Sequence, residues 1–378
     1  MVTPHLTICS VHPSRQRRSE TFMASLVHHL PCTVHVVHGR SAAYGSRFDR
    51  AIQRGCHMKY RGPRFWHRES KAFASTRSYL RTFEKLRPQA VVAQYGPIGV
   101  TVLDACRAMK IPLIVFFRGN DATCRGVVDP LRSEYQRLFE EAHWLVAVAP
   151  TIRDALVRLG APAKKIVVQP SGAECSKFSG AQPADAAEHF LSVGRFVPKK
   201  APFRVIEAFA LAHQHRSSIS LTMIGEGPLL AETQQLVRVM GLESAVRFLG
   251  GQPHEKVADE MRRARALLQH SVVAPDGDSE GTPVSVMEAG ASGLPVIGTR
   301  HAGIPDIVLH QETGLLVDEH DVQAMANAIV LLADQPKLAG TLGAAARDRV
   351  TRQFTVESTA KAVYKLIQNV TAPHREAA

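Results

Sequence analysis

The chain has 378 residues, 45% of them hydrophobic. It is long enough for two domains with full cores and too apolar to be disordered. Its formal net charge is +12, with no run of about twenty apolar residues to span a membrane. Its six cysteines, at positions 9, 32, 56, 106, 124 and 175, form no Cys-x-x-Cys pair, which disfavours zinc and dithiol chemistry and suits a reduced, cytoplasmic setting.

Apolar strand-like runs alternate with helix-length segments along the whole chain. The start, Met1-Val-Thr-Pro-His-Leu-Thr-Ile, is too short and plain for a signal peptide and reads as a first strand, Leu6 to Val11. A helical stretch from about Glu20 to Leu30 follows, then strands at Val34 to Val37 and Ala90 to Ala93. Next come a helix from Gly96 through Met109, a strand Pro112 to Phe117, a strand Trp144 to Val148, a helix Thr151 to Leu159 and a strand Ile166 to Gln169. Ser179-Gly-Ala-Gln-Pro-Ala-Asp185 is small, polar and Pro/Gly-bearing, and reads as a linker. The second half repeats the pattern with strands at Phe190 to Val193, Ser220 to Ile224, Val246 to Leu249, Ala266 to Gln269 and Pro295 to Gly298, and Leu315 to Val317 as a closing strand. Strand, helix, strand at this spacing implies parallel sheets with right-handed crossovers. The predicted fold class is α/β, with two doubly wound domains, 1–180 and 186–350, facing across a cleft at the carboxyl ends of their strands. The last eight residues, Thr371 to Ala378, read as a frayed end.

Charge divides the chain as well. Residues 1–180 hold 27 Lys and Arg against 12 Asp and Glu, so the whole positive excess lies in the first half. It concentrates between Arg47 and Arg87, interrupted by Phe65 and Trp66. Two readings stand side by side: a solvated basic face, or a surface that docks on anionic lipid headgroups at about 1 kcal/mol per basic residue. Nucleic-acid binding is disfavoured, because no recognised binding motif accompanies the charge.

Chemistry concentrates in the second half. In Glu280-Gly-Thr-Pro-Val-Ser-Val-Met-Glu288, two carboxylates lie eight residues apart, one before a Gly-Thr-Pro turn and the other on the helix behind it. Both can face one pocket beside the free N–H groups of the helix start, which favour a phosphate ester, while the carboxylates accept hydrogen bonds from sugar hydroxyls. Upstream, Gly194 allows a tight turn at a strand end. Arg195 and Lys200 follow as two cations five residues apart, Arg suited to forked phosphate contact and Lys to a point charge. No Asp-x-Asp motif suited to a metal is seen, Asp276-Gly-Asp278 not being read as one, and His28, His29, His35 and His38 lack metal-ligand partners.

The second carboxylate continues into Ala289-Gly-Ala-Ser-Gly-Leu-Pro-Val-Ile-Gly298. With Ser192-Val-Gly-Arg195-Phe-Val-Pro-Lys199-Lys200, Leu221-Thr-Met-Ile-Gly225-Glu-Gly227-Pro228, Val246-Arg-Phe-Leu-Gly250, Ala302-Gly-Ile-Pro-Asp306 and Thr313-Gly-Leu-Leu-Val317, this order of motifs resembles the retaining nucleotide-sugar glycosyltransferases of family 4, which have the GT-B fold. The resemblance covers roughly residues 190–320 and is nearest to the bacterial exopolysaccharide subgroup, which Ser19-Glu-Thr-Phe22 and Ala274-Pro-Asp-Gly-Asp278 also fit. It implies that Arg195 and Lys200 hold the diphosphate, that Glu288 binds the ribose and that Glu280 binds the transferred sugar. Gly281, Thr282 and Pro283 would line the sugar and phosphate, and Gly250 to His254 would pass the base. Gly225, Glu226 and Gly227 form a neighbouring turn, either donor-binding or purely structural. Ser19, Glu20 and Thr21 would approach the donor phosphate and acceptor, or simply cap a helix. The last helix, within 354–368, would pack back on the first domain.

Three departures from the family pattern stand out. Ala201 replaces the usual Gly after the Lys, the glycine pair expected after the first strand is replaced by Pro13-Ser-Arg-Gln-Arg-Arg18, and Arg118-Gly-Asn-Asp121 stands where His-Gly-x-Asp is common. Arg118 cannot act as a general base near neutral pH, though it can hydrogen-bond sugar oxygens and counter phosphate. Asp121 would orient Arg118 or the sugar, or form a structural ion pair. The expected function is metal-independent, cofactor-free transfer of a hexose-type sugar, UDP- or GDP-linked, onto a hydroxyl of a glycan. A lipid-linked precursor at the inner membrane face is the favoured acceptor. A soluble sugar or natural-product acceptor, and a non-catalytic nucleotide-sugar-binding role, are the alternatives.

Overall fold

The computed structural model describes residues 6–13, 21–39 and 64–372, with backbone alone over 64–74. Ser19, Glu20 and the basic stretch from Arg47 to Arg61 lie outside the described residues, as does the terminal stretch from 373.

Among the described residues, twelve strands form two six-stranded sheets. The first holds β1 (Thr7–His12), β2 (Thr33–His38), β3 (Ala90–Gln94), β4 (Leu113–Phe117), β5 (Trp144–Ala147) and β6 (Ile166–Val168), in the order β2-β1-β3-β4-β5-β6. The second holds β7 (His189–Val193), β8 (Ser220–Ile224), β9 (Val246–Gly250), β10 (Ala266–Gln269), β11 (Val296–Thr299) and β12 (Gly314–Val317), in the order β12-β11-β10-β7-β8-β9. Every pairing is parallel. Every predicted strand is present, with ends shifted by a residue or so. Inner strands such as β3 and β4 are buried throughout, whereas edge strand β2 has an exposed end. Helices covering both faces impose that contrast, so inner strands read as unbroken apolar runs.

Strand order positions the site. In an open α/β sheet, ligands bind beyond the carboxyl ends of the strands where the order reverses. That point lies between β1 and β3 in the first sheet and between β7 and β10 in the second. The loops leaving β7 and β10 carry Arg195, Lys200 and Glu280; the loop leaving β1 leads to Thr21.

Each sheet has its own core, the first built around residues such as Ile8, Val92, Val115 and Phe139, the second around Phe190, Phe209, Leu268 and Ile297. The segment 179–185 lies on the second half, where Ala181 N–H donates to Ser292 O (2.9 Å). Two strands of backbone cross between the halves and pair with each other: Ala173 N–H donates to Phe354 O (2.7 Å) and Val356 N–H to Ala173 O (2.9 Å). Gly172 sits at φ +73° where an added Cβ would lie 2.5 Å from Thr355 O, so the crossing point requires glycine. The final helix, Val356–Thr371, is capped by Thr355, whose side chain accepts from Ser358 N–H. It buries Ala360, Val363 and Ile367 in the first core against the helix Thr21–His29.

Candidate functional site

The carboxyl ends of β7, β8 and β9 are stitched by backbone: Gly194 N–H donates to Ile224 O (3.0 Å) and Gly225 N–H to Gly250 O (2.9 Å). At Gly225, φ is +149° and an added Cβ would lie 1.8 Å from Gly194 O. Only glycine lets the β7 loop cross there. Glu226 is exposed and its carboxylate lies over Gly251, where an added Cβ would meet it at 2.6 Å. Past the crossing, Arg195 is exposed, and among the described residues its guanidinium has no hydrogen-bond or ion-pair partner. The loop tightens into a single 3-10 turn, Pro198–Lys200, and leaves it through Ala201 at φ +39°. Ala201, where the resemblance leads one to expect Gly, adopts a left-handed conformation at a steric cost. The helix Pro202–His215 then begins beside Lys200.

The two lysines of this turn have different tasks. Lys200 Nζ lies 3.2 Å from Glu280 Oε1, with both side chains largely buried. Buried Lys199 donates to Asp278 Oδ1 (3.0 Å) and Ser279 O (3.1 Å), clamping the loop that carries Glu280. Burial pushes the Glu280 carboxyl up, but Lys200 and Lys199 together outweigh it and hold the group below the ordinary carboxylate range. Glu280 Oε1 touches Lys200 as a charge contact and accepts no aligned hydrogen bond. It is a buried acceptor with a vacant lone pair. Glu280 N–H donates to His301 Nε2 (3.2 Å), and His301 Nδ1 lies 2.6 Å from Glu319 Oε1.

Glu288 lies in the second turn of the helix Val284–Ser292, which has no acid in its first turn. Its carboxyl is buried, and burial, then the nearby Glu174, raise its pKa to about 8. His254 Nδ1 is 3.8 Å away, but burial lowers the imidazole's pKa. Near pH 7 both groups are therefore mostly neutral and the contact is not an ion pair. His254 Nε2 meets Thr21 Oγ1 at 2.8 Å, joining the two halves across the cleft.

The β4 end faces the Glu280 loop closely. Gly119, at φ +144°, passes Ser279 O so tightly that a Cβ would lie 2.7 Å from it; a Cβ on Gly281 would lie 2.6 Å from Arg118 O. Thr282 Oγ1 donates to Val148 O, and Ser279 N–H to Thr123 Oγ1 (3.0 Å). Pro283 precedes the helix at φ −64°. The halves are thus closed on each other at the Glu280 turn. Arg118 donates from Nη1 to Ser171 Oγ (2.8 Å) and from Nη2 to Gln94 Oε1 (2.6 Å), and its guanidinium lies over the rings of Phe22 (4.4 Å) and Phe116 (4.7 Å). Asp121 is 1% exposed. Its oxygens accept backbone N–H groups of Arg118 (2.8 Å), Gly119 (3.1 Å) and Gly96 (3.0 Å). That makes it a clamp on the loop backbone, shielded from a substrate in the closed form. Among the described residues, no group of three or more His, Cys, Asp or Glu side chains is placed to hold a metal.

Two family models match the chain: glycosyl transferases group 1 over residues 178–349 and glycosyltransferase family 4 over residues 19–177. The chain is 33% identical over 244 residues to the amylovoran biosynthesis glycosyltransferase AmsK of Erwinia amylovora, covering 64% of this chain and 60% of that protein. It is 30% identical over 289 residues to the putative colanic acid biosynthesis glycosyltransferase WcaL of Escherichia coli, covering 75% of this chain and 71% of that protein. The chain belongs to glycosyltransferase family 4. Its fold is GT-B: the Anabaena protein Alr3699/HepE, solved in complex with UDP, superposes with a TM-score of 0.75 at 16% identity, over 96% of this chain and 100% of that one.

Within this transferase, Arg195, Lys200, Glu280 and the Gly281–Pro283 turn gather at one switch point, and Glu288 with His254 lies beside it. Lys199, His301 and Glu319 escaped the sequence reading. Lys199 stands inside a motif whose role went to its neighbour, and a lone His301 before Ala302-Gly-Ile-Pro carries no periodic or spacing signal. Only the β11 and β12 loops bring it to Glu280.

Proposed function

We propose that the chain is a retaining glycosyltransferase that moves a hexose-type sugar from a nucleoside diphosphate sugar to a hydroxyl of a growing glycan. The observation that carries this reading is Glu280: a buried carboxylate with an unfilled lone pair, held 3.2 Å from Lys200, which lines one cavity with Arg195, itself without a hydrogen-bond or ion-pair partner among the described residues. A sugar hydroxyl fills the lone pair, and the two cations meet a diphosphate. As the bond from the anomeric carbon to the β-phosphate oxygen breaks, charge grows on that phosphate. Arg195, Lys200 and the start of the helix Pro202–His215 stabilise it more in the transition state than in the ground state. The acceptor oxygen bonds to the anomeric carbon on the same face, and its proton passes to the leaving phosphate. Glu288 takes the ribose hydroxyls, and Arg118 faces the acceptor.

The acceptor in this reading is a lipid-linked polysaccharide precursor. The names of the two relatives support polysaccharide assembly, and the basic first half supports contact with an anionic membrane face; Arg77, Arg81 and Lys85 lie exposed on the helix Arg64–Leu86. No described helix is long and apolar enough to cross a membrane. The donor is UDP- or GDP-linked.

The experiment is a panel of UDP-, GDP- and ADP-sugars read by thermal shift and by nucleotide release. One donor that both stabilises the protein and turns over is the expected result. Stabilisation without turnover, even with membrane extract supplied as acceptor, would refute catalysis.

A further inference from the structure

We infer that His301 and Glu319 are positioning residues that set the direction of Glu280. The inference rests on the proposed role of Glu280 at the transferred sugar. His301 is 1% exposed. Its Nε2 receives the backbone N–H of Glu280 (3.2 Å) and lies 3.1 Å from Ser279 Oγ. Its Nδ1 lies 2.6 Å from Glu319 Oε1, and Glu319 Oε2 accepts Val273 N–H at 2.9 Å.

A backbone N–H can only donate, so Nε2 must be an acceptor and the ring proton must sit on Nδ1. Glu319 is the group that selects this tautomer, as a carboxylate does for a catalytic or metal-bound imidazole. The chain of contacts runs from the β12 loop through the β11 loop to the β10 loop. On the other side of that loop, Lys199 holds Ser279 O and Asp278. The peptide group joining Ser279 to Glu280 is therefore gripped at both ends, through its N–H by His301 and through its carbonyl by Lys199. The carboxylate is left with little freedom but to face Lys200. His301 also borders a cavity of about 410 Å³ between the two halves, lined by Thr123, Thr151 and Leu159 on one side and Val273 and Glu319 on the other. A small solute can reach the ring's position from there.

The test uses His301→Phe, His301→Gln and His301→Gly in the full chain, with kcat, donor KM and melting temperature measured for each. His301→Phe keeps the ring shape without the acceptor. Its kcat is expected to fall about a hundredfold, the effect of misplacing a reacting-site group by about 1 Å, while donor KM changes little. His301→Gln places an amide oxygen near the Nε2 position and is expected to recover much of the loss. Imidazole added to His301→Gly is expected to raise its rate through the cavity. Wild-type kcat in His301→Phe would overturn the inference, as would equal losses in Phe and Gln with no imidazole effect. The tautomer is read separately by nitrogen NMR of the resting protein, assigned by the signal missing in His301→Gln. A proton on Nδ1 is expected and a proton on Nε2 overturns the inference. This readout decides the matter even if no donor turns over, the result that would count against the proposed function instead.

Discussion

Removing Lys200 tests whether the site is built around a buried ion pair. The contact is 3.2 Å with both side chains largely out of solvent. At an effective dielectric of about 20, charges at that distance attract by about 5 kcal/mol. Lys200→Met abolishes that attraction and strands the Glu280 carboxylate, but the loss is capped because the carboxyl can take a proton. At pH 7, protonating a group with an ordinary pKa of 4.5 costs about 3 kcal/mol at about 1.4 kcal/mol per unit. The expected deficit is therefore about 3 kcal/mol at pH 7, roughly 6–12 °C for a domain of this size. The sign follows from linkage: in the variant, the folded-state pKa of Glu280 rises above its unfolded value, so stability is lost as pH rises from about 4.5. Near pH 5 the deficit should shrink below about 1 kcal/mol. Thermal melts of the wild type, Lys200→Met and Lys200→Met/Glu280→Gln at pH 5 and 7 check this, with the double variant expected to recover most of the loss at pH 7. A deficit of the same size at both pH values, or one that the second substitution leaves in place, would mean that lost packing and not a stranded charge is responsible.

Four further outcomes are expected. Arg195→Gln should leave the melting temperature within about 1 °C, since the side chain is exposed and has no partner among the described residues, yet lower turnover about a hundredfold in steady-state assays. With its pKa raised to about 8, Glu288 contributes stability that is complete below about pH 4.5 and lost as pH rises towards 8; Glu288→Gln should flatten the melting profile over that window and weaken donor binding in a titration. Ala201→Gly should raise stability by up to about 1 kcal/mol in denaturant melts, because it relieves a left-handed alanine at φ +39°. Arg118→Ala should leave slow donor hydrolysis within a few-fold while cutting transfer to acceptor about a hundredfold in product assays, since its contacts lie on the first half.

The sequence by itself determined the twelve strands, both doubly wound halves and the loops that carry Arg195, Lys200, Glu280 and Glu288. Strand and turn signals are local, and buried parallel strands announce themselves as short apolar runs between glycines. The departure at Ala201 was legible for the same reason, and the structure supplies its meaning in a single dihedral angle. Tertiary structure decided the partners. Lys200 meets Glu280 across eighty residues, Lys199 clamps the loop beside it, and His301 reaches back to Glu280 only because β10, β11 and β12 lie side by side. Asp121 reads in sequence as an acid that orients Arg118 or the sugar, or forms an ion pair, yet folding turns its oxygens to three backbone N–H groups. The pKa of Glu288, and the closure that sets Thr21 against His254, depend on burial between elements far apart in the chain. Distance along a chain sets which residues can form an element; distance in space, fixed by sheet order and domain closure, sets which charges and hydrogen-bonding groups face each other.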